Sequence, residues 1–251
     1  MKFNICVAIP IKSGKVKENE ELIKKMLESK PDLVEFRFDY IHEISELTPD
    51  FVKSLLDLVS PNILSIFTFR DPSEGGQCDL NKEERMKIIK LLIEAQPEYL
   101  DIEMNTEIEN LRDIINFANE NEIKLIFSYH DFDKTPTLEV ATNIYEQFKD
   151  KLLNNHLVDF LTFKKITYKL IFTAKNFEDN LIPIKLCRDI SAKEKHQGII
   201  SFCMGELGIF SRIICVKFGS LLTYGSLEDK TAPGQINIEK IREIHQLLFN
   251  S

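Results

Sequence analysis

Short apolar runs alternate with longer amphipathic segments from one end of the chain to the other. The longer segments carry apolar residues at spacings of three and four and predict helices, among them Glu20–Glu28, Glu83–Glu94, Thr106–Glu120 and a closing helix, Ile238–Phe249. The short runs are rich in β-branched and aromatic residues and predict eight strands: Phe3–Ile11, Leu33–Asp39, Ile63–Phe69, Glu98–Met104, Ile123–Tyr129, Ile166–Phe172, Gly198–Cys203 and Leu221–Tyr224.

Strands that alternate with helices predict a parallel sheet, and eight such units predict an α/β protein of the (β/α)8 TIM-barrel class. The 251 residues of the chain fit the roughly 250 that one such barrel uses. Because the chain has no low-complexity linker, we predict one barrel domain over residues 1–251.

Charged and polar residues occupy every second position in several predicted strands. Glu35, Arg37 and Asp39 share one face of the second strand, and Thr167 and Lys169 share one face of the sixth. For a single strand, an antiparallel sheet with one wet face explains the pattern equally well. In a parallel barrel both faces are covered, and charges turned inward are too costly to keep without a purpose. The set of strands therefore predicts a polar site inside the barrel.

Composition narrows the range of functions. The formal net charge of -8 argues against a general nucleic-acid binder, because phosphate binding needs a basic surface. Five cysteines without a CxxC pair are typical of reduced thiols in a cytosolic protein. The first ten residues lack the features of a secretory signal, and no apolar run reaches the roughly 18 residues of a membrane span. We therefore expect a soluble, cytoplasmic protein.

Two side chains at strand positions could carry chemistry. Lys169 on an inward strand face would be partly desolvated, which lowers the pKa of its ammonium and frees the amine to attack a carbonyl. The alternative is a lysine whose head reaches water at a strand end. His130 ends the fifth strand, where barrel enzymes place their chemistry, although a histidine there can also be a structural hydrogen-bonding group.

Three loops add further candidates. Arg70 ends the third strand and is followed by Glu74-Gly75-Gly76, which allows close approach of a ligand or forms an ordinary turn. The segment from Met204 to Arg212 is a second glycine-bearing loop that ends on an arginine able to hold a carboxylate. Thr231-Ala232-Pro233-Gly234-Gln235 after the last strand presents a hydroxyl and an amide, or is a plain Pro-Gly turn.

Taken together and in order, these segments resemble the type I 3-dehydroquinate dehydratase family, barrel enzymes of the shikimate pathway that leads to chorismate and the aromatic amino acids. Each motif alone is weak, but six in order cover nearly the whole chain. The motifs are Glu35-x-Arg37-x-Asp39; Thr68-Phe69-Arg70 with Glu74-Gly75-Gly76; Leu100-Asp101-Ile102-Glu103; Ser128-Tyr129-His130-Asp131-Phe132 with Thr135-Pro136; Met204 to Arg212; and Thr231 to Gln235.

The resemblance implies a lyase that dehydrates 3-dehydroquinate to 3-dehydroshikimate without metal or cofactor, and a homodimer as the usual assembly. Lys169 would form an iminium with the ring ketone, His130 would move the protons, and Glu74 would orient His130. Arg212 would bind the substrate carboxylate. The resemblance further assigns ring hydroxyls to Glu35, Arg37, Arg70, Thr231 and Gln235, and apolar walls to Met204 and Phe218.

The chain departs from the family pattern around the lysine. The family usually runs Lys-Ile-Ala-Val-Met-Pro, whereas this chain reads Lys169-Leu170-Ile171-Phe172-Thr173-Ala174 after a longer approach, Asn154 to Ile166. Lys169 is preferred to Lys164 and Lys165 because a matching strand and loop follow it. It also precedes Arg212 by 43 residues (212 minus 169), which fits the family spacing.

Two other functions compete with this interpretation. A Schiff-base aldolase acting on a sugar phosphate would share the lysine, but its last loops should hold a phosphate. Here they offer Arg212 and Gln235, which suit a carboxylate and hydroxyls. A non-catalytic barrel that senses a pathway metabolite should have lost Lys169 or His130, and both are present.

Overall fold

The eight predicted strands are all present in the computed structural model, which describes residues 3–59, 61–159, 162, 165–194, 197–227, 234 and 236–249. Their ends agree with the prediction or differ from it by one or two residues. Asp39, for example, lies in a 3-10 turn, Phe38–Tyr40, rather than in the second strand. The strands are β1 Ile5–Pro10, β2 Leu33–Arg37, β3 Leu64–Thr68, β4 Tyr99–Glu103, β5 Lys124–His130, β6 Thr167–Thr173, β7 Gly198–Met204 and β8 Thr223–Gly225.

The α-helices of the described residues follow the strands in sequence. Side chains of the preceding residues cap several of them; for example, Asn81 accepts a hydrogen bond from the backbone of Glu84, and Thr137 accepts one from that of Val140. The helices are α1 Val16–Ser29, α2 Pro49–Val59, α3 Lys82–Glu94, α4 Ile108–Glu120, α5 Leu138–Asn154, α6 Leu181–Lys193, α7 Ile209–Ile214 and α8 Ile238–Phe249. No helix of the described residues is both long enough and apolar enough to span a bilayer.

The strands form one sheet in the order β7-β6-β5-β4-β3-β2-β1-β8. The pairs β1–β8, β2–β3, β3–β4 and β6–β7 are parallel. A parallel bridge between Ile199 at the start of β7 and Ser220 just before β8 links the two strands that end this order. The predicted (β/α)8 class is therefore confirmed.

The chain divides into two compact units: residues 8–126, and residues 127–251 together with residues 1–7. We call these the 8–126 unit and the 127–251 unit. The single domain expected from the sequence stays a prediction.

The strands of both units are buried on both faces, as parallel strands covered by helices should be. All five residues of β4 are buried, including Asp101 at 0% exposure and Glu103 at 1%. In β6 the polar face, Thr167 and Lys169, is as buried as the bulky face. The prediction that charged side chains of these strands lie in the interior is confirmed.

Candidate active site

Lys169 lies in the middle of β6 in the 127–251 unit, and only 4% of it is exposed. Its Nζ donates a hydrogen bond to Tyr224 Oη at 3.1 Å and lies 4.9 Å from the centre of the Tyr224 ring. Lys165 is exposed, and Lys164 lies outside the described residues. Of the two described lysines at this point of the chain, Lys169 is thus the buried one, and its amine faces an aromatic ring.

Tyr224 was not expected at the site. It lies on β8, is 6% exposed, and its ring centre is 6.0 Å from that of Phe202 on β7. Phe218, the aromatic expected as an apolar wall, is half-buried in the 3-10 turn Cys215–Phe218 that precedes β8. The aromatic side chain that contacts Lys169 is therefore Tyr224. The only sequence signal for it was its place in the predicted eighth strand.

Arg212 is buried in the 127–251 unit, and none of the described residues provides an acidic partner for it. It lies within α7, not at the end of a loop as the sequence suggested, and is 4% exposed. Among the described residues no carboxylate forms an ion pair with it, and its Nε has no hydrogen-bond partner. Burial lowers the pKa of Arg212 to about 10. A buried guanidinium without a counter-charge favours the binding of an anion.

A hydrogen-bonded network fixes the start of α7 and with it Arg212. The backbone N–H of Ser211 donates to Asn180 Oδ1 at 2.9 Å, and the Ser211 hydroxyl donates to the Gly208 carbonyl at 3.0 Å. The Cys203 N–H in turn donates to Ser211 Oγ at 2.9 Å. Met204, a predicted apolar wall, ends β7 next to this network and is half-buried.

His130 is the last residue of β5, as the sequence predicted, and is half-buried. Its ring stacks on that of Phe132, with centres 6.3 Å apart and an angle of 23° between the planes. The next residue, Asp131, donates its N–H to the Ile171 carbonyl at 2.9 Å and so ties the end of β5 to β6. The imidazole is thus held at the carboxyl end of a strand, where barrel enzymes place catalytic groups.

In the 8–126 unit, Arg70 is enclosed by carboxylates. It is 2% exposed and pairs with Asp101 at 2.9 Å and with Glu103 at 2.9 Å. Burial disfavours its charge, but the attraction of Asp101 and Glu103 outweighs burial, and the pKa of Arg70 stays well above its usual value. Glu35 is also buried and accepts a hydrogen bond from Thr68 Oγ1 at 2.7 Å.

The loop after β3 is built around Asp39, which accepts from Arg37 Nε at 2.7 Å and from Arg37 Nη2 at 2.8 Å. It also accepts from the Gln77 N–H at 3.2 Å. Glu74 lies in this loop, in the 3-10 turn Pro72–Glu74, and is 6% exposed. At Gly76 a Cβ would lie 1.9 Å from the Arg70 carbonyl oxygen, so the close turn of this loop requires glycine.

The predicted residues Thr231 and Gln235 lie outside the described residues. Within the described part of the chain, no group of three or more His, Cys, Asp or Glu side chains is arranged to hold a metal ion.

Comparison with known proteins identifies the family. Residues 5–251 match the family model described as type I 3-dehydroquinase. The 3-dehydroquinate dehydratase of Methanococcus maripaludis is 32% identical over 246 residues, 96% of this chain and 99% of that protein. That of Methanocaldococcus jannaschii is 33% identical over 245 residues, 96% of this chain and 98% of that protein.

Solved structures agree with the fold. The type I 3-dehydroquinate dehydratase of Clostridium difficile, with covalent modified comenic acid, has a TM-score of 0.83 at 26% identity and covers 100% of this chain and 93% of that one. The 3-dehydroquinate dehydratase of Geobacillus kaustophilus has a TM-score of 0.82 at 24% identity, covering 99% and 93% respectively. The resemblance expected from the motifs is therefore confirmed, and the chain belongs to the type I 3-dehydroquinase family, a family of hydro-lyases.

Proposed function

We propose that this chain converts 3-dehydroquinate to 3-dehydroshikimate and water through a Schiff base on Lys169. Membership of the family and the relatives named 3-dehydroquinate dehydratase support the substrate and the reaction. The observation that carries the proposed mechanism is the burial of the Lys169 amine against the Tyr224 ring. A desolvated lysine is a suitable nucleophile for a ketone.

In the proposed reaction, the Lys169 amine attacks the ring ketone and expels its oxygen as water. The resulting iminium accepts an electron pair when the proton on the adjacent carbon is removed, and this gives an enamine. The enamine returns the pair and expels the β-hydroxyl, which leaves as a second water after it takes up a proton. Hydrolysis of the product imine consumes one water and frees the lysine, so the net change is the loss of one water.

We assign both proton transfers of the elimination to His130. A neutral imidazole can accept the proton from carbon and then return it to the departing hydroxyl, because its pKa is close to neutral in the ordinary case. The position of His130 at the end of β5, beside the end of β6, supports this assignment.

Arg212 is proposed to bind the substrate carboxylate. Its buried charge has no acidic partner among the described residues, so a carboxylate would supply the missing counter-charge and accept from Nε. Met204 and Phe218 stay proposals for apolar walls, and Thr231 and Gln235 for hydroxyl contacts. In the 8–126 unit, Glu35, Arg37 and Arg70 are proposed to contribute to substrate binding and Glu74 to catalysis, on the family resemblance.

The comparison with the Clostridium difficile protein supports covalent chemistry. That structure contains covalent modified comenic acid, and it is similar to the whole length of the present chain. We further propose, from the family resemblance, that no cofactor takes part and that the protein is a cytoplasmic homodimer.

The test is reductive trapping of the imine. The protein is incubated with 3-dehydroquinate and borohydride, and the adduct is located by intact mass and peptide mapping. We expect one adduct on Lys169, none in Lys169→Met, and an unchanged adduct in Lys165→Met, which alters an exposed lysine close by.

An adduct on Lys164 or Lys165 would still support the Schiff-base reaction but would show that Lys169 is not the lysine that forms it. No adduct on folded protein, together with binding of 3-dehydroquinate and no turnover, would replace the enzyme with a metabolite-sensing barrel.

A further inference from the structure

Tyr224 places a hydroxyl against the amine that the proposed mechanism uses. Its Oη is 3.1 Å from Lys169 Nζ, and the two residues are 6% and 4% exposed. The two residues are 55 positions apart in sequence and lie on different strands, so the contact depends on the fold and not on a local turn. None of the roles assigned above explains this hydroxyl.

The surroundings of the pair restrict the access of water. Tyr224 packs on Phe202, and the Nζ of Lys169 lies over the Tyr224 ring. The neighbouring Thr223 on β8 is fully buried, and its hydroxyl donates to the Arg212 carbonyl at 2.6 Å. In such a place a fixed side chain can carry protons where little bulk water reaches the pair.

Imine formation needs proton transfers at the lysine nitrogen. A protonated lysine and a ketone give an iminium and water, so two protons leave nitrogen and end on the departing oxygen. A hydroxyl both accepts and donates, which suits it to a relay. The Tyr224 hydroxyl is hydrogen-bonded to the nitrogen that loses these protons.

We propose that the Tyr224 hydroxyl is a catalytic group that passes protons between Lys169 Nζ and the ketone oxygen during formation and hydrolysis of the imine. The inference rests on the Schiff base proposed above. Tyr224 first accepts a proton from the ammonium and gives its own to the ketone oxygen, which frees the amine. The amine attacks the carbonyl carbon, the C–N bond forms and the carbonyl π pair moves to the protonated oxygen, which yields a carbinolamine whose nitrogen still carries the second proton to be removed.

The second step uses the same relay. Tyr224 accepts the second proton from nitrogen and gives its own to the hydroxyl. The nitrogen lone pair then forms the C=N bond, the C–O bond breaks, and the oxygen leaves as water. Tyr224 carries a proton again at the end of each step, so no other reagent is consumed. Hydrolysis of the product imine is the same sequence in reverse.

Tyr224→Phe isolates the hydroxyl from the ring. Phenylalanine keeps the aromatic face over which the lysine nitrogen lies and removes only Oη. Tyr168→Phe is the matched control, because Tyr168 precedes Lys169 on the same strand and is fully buried on the opposite face, where its ring packs on Tyr145 at 4.8 Å.

Circular dichroism first confirms that both variants are folded. The experiment then measures, in a single turnover and at several pH values, the rate at which the borohydride-trapped adduct on Lys169 accumulates. We expect Tyr224→Phe to slow trapping by about 100-fold and to change the shape of its pH profile. Tyr168→Phe should match the unsubstituted protein in both.

Trapping in Tyr224→Phe at the unsubstituted rate and with the same pH profile would overturn the relay and leave the Schiff base in place. A loss of the same size in both tyrosine variants would also overturn it, since it would reflect general loosening of β6 and β8. No Lys169 adduct in the unsubstituted protein would instead remove the proposed function itself.

Discussion

The guanidinium carbon of Arg212 lies 4.4 Å from the centre of the Phe202 ring. The contact provides a cation–π attraction, but such a contact stabilises a buried charge less than a carboxylate does. Arg212 is thus held in place by packing and by the network at Ser211, while no carboxylate of the described residues forms an ion pair with it.

Replacing Arg212 with methionine should weaken substrate binding. A charge-assisted hydrogen bond contributes about 1.5–3 kcal/mol, so we expect KM to rise roughly 10- to 100-fold. Steady-state kinetics with 3-dehydroquinate measure this effect. Arg188→Met is the matched control, because Arg188 is exposed on α6 and pairs with Asp189. An unchanged KM in Arg212→Met would remove Arg212 from the proposed site.

The same substitution should stabilise the protein in the absence of substrate. Burial lowers the pKa of Arg212 to about 10 in the folded state. The folded state therefore binds this proton less tightly than the unfolded state, and below about pH 10 the buried charge costs folding free energy on the order of 3 kcal/mol. We expect the Tm of Arg212→Met at pH 7 to rise by about 5–10 °C. The gain should shrink as pH rises above 10, where the folded wild-type protein loses the charge; a lower Tm at pH 7 would contradict this account.

Glu103→Gln should destabilise the 8–126 unit strongly. Glu103 accepts from Arg70 at 2.9 Å and from Arg85 at 2.5 Å, and all three residues are buried. Loss of the carboxylate charge leaves buried guanidinium groups incompletely compensated, which costs about 3–5 kcal/mol. Urea unfolding measures the difference.

Lys82→Met provides the comparison for Glu103→Gln, because it breaks an ion pair with Glu107 between two exposed side chains of the same unit. We expect this change to cost about 1 kcal/mol or less. Equal losses of unfolding free energy in the two variants would show that the buried Glu103 ion pairs stabilise the protein no more than an exposed pair does.

Thiol reagents should modify the native protein slowly and at one position first. Cys6, Cys187, Cys203 and Cys215 are buried, whereas Cys78 is half-buried. Burial raises the pKa of the Cys215 thiol to about 11 and raises that of Cys187 and Cys203, so little thiolate forms at pH 8. Burial and the charge of Asp39 also raise the pKa of Cys78, which should make even this thiol slow.

A spectrophotometric thiol titration at pH 8 tests this order. All five thiols should react once urea is added, and peptide mapping of the native protein should find the label on Cys78. Rapid labelling of two or more thiols in the native protein would show that these side chains are not enclosed.

Gly76→Ala should destabilise the loop that carries Glu74. The added Cβ would lie 1.9 Å from the Arg70 carbonyl oxygen, so the backbone must shift. We expect a loss of roughly 1–3 kcal/mol in urea unfolding. A loss below about 0.5 kcal/mol in Gly76→Ala would contradict the clash.

The strands were predictable from sequence because both of their faces are enclosed. In β6 the bulky and polar residues alternate, and the structure buries Tyr168 and Lys169 alike. The ends of strands were less predictable, since they depend on hydrogen bonds to neighbouring segments. Asp39 illustrates this: the pattern places it in a strand, but its carboxylate instead holds Arg37 and the backbone of Gln77.

The partners of the site residues could not be read from sequence. In the sequence, Tyr224 cannot be told apart from any other aromatic residue of a strand. It becomes a candidate only because Lys169, on a different strand, donates a hydrogen bond to its hydroxyl. The absence of a carboxylate beside Arg212 within the described residues is likewise a property of packing. The local sequence pattern predicts which residues are buried, but only the three-dimensional structure shows which buried residues contact each other.

The buried charge of Arg212 has a consequence for how long the protein survives in a cell. A carboxylate ligand that binds only the folded state shifts the folding equilibrium toward that state, and folded chains escape proteolysis. The abundance of this protein would then follow the supply of its ligand: chains made while the ligand is scarce would turn over faster than chains made while it is plentiful.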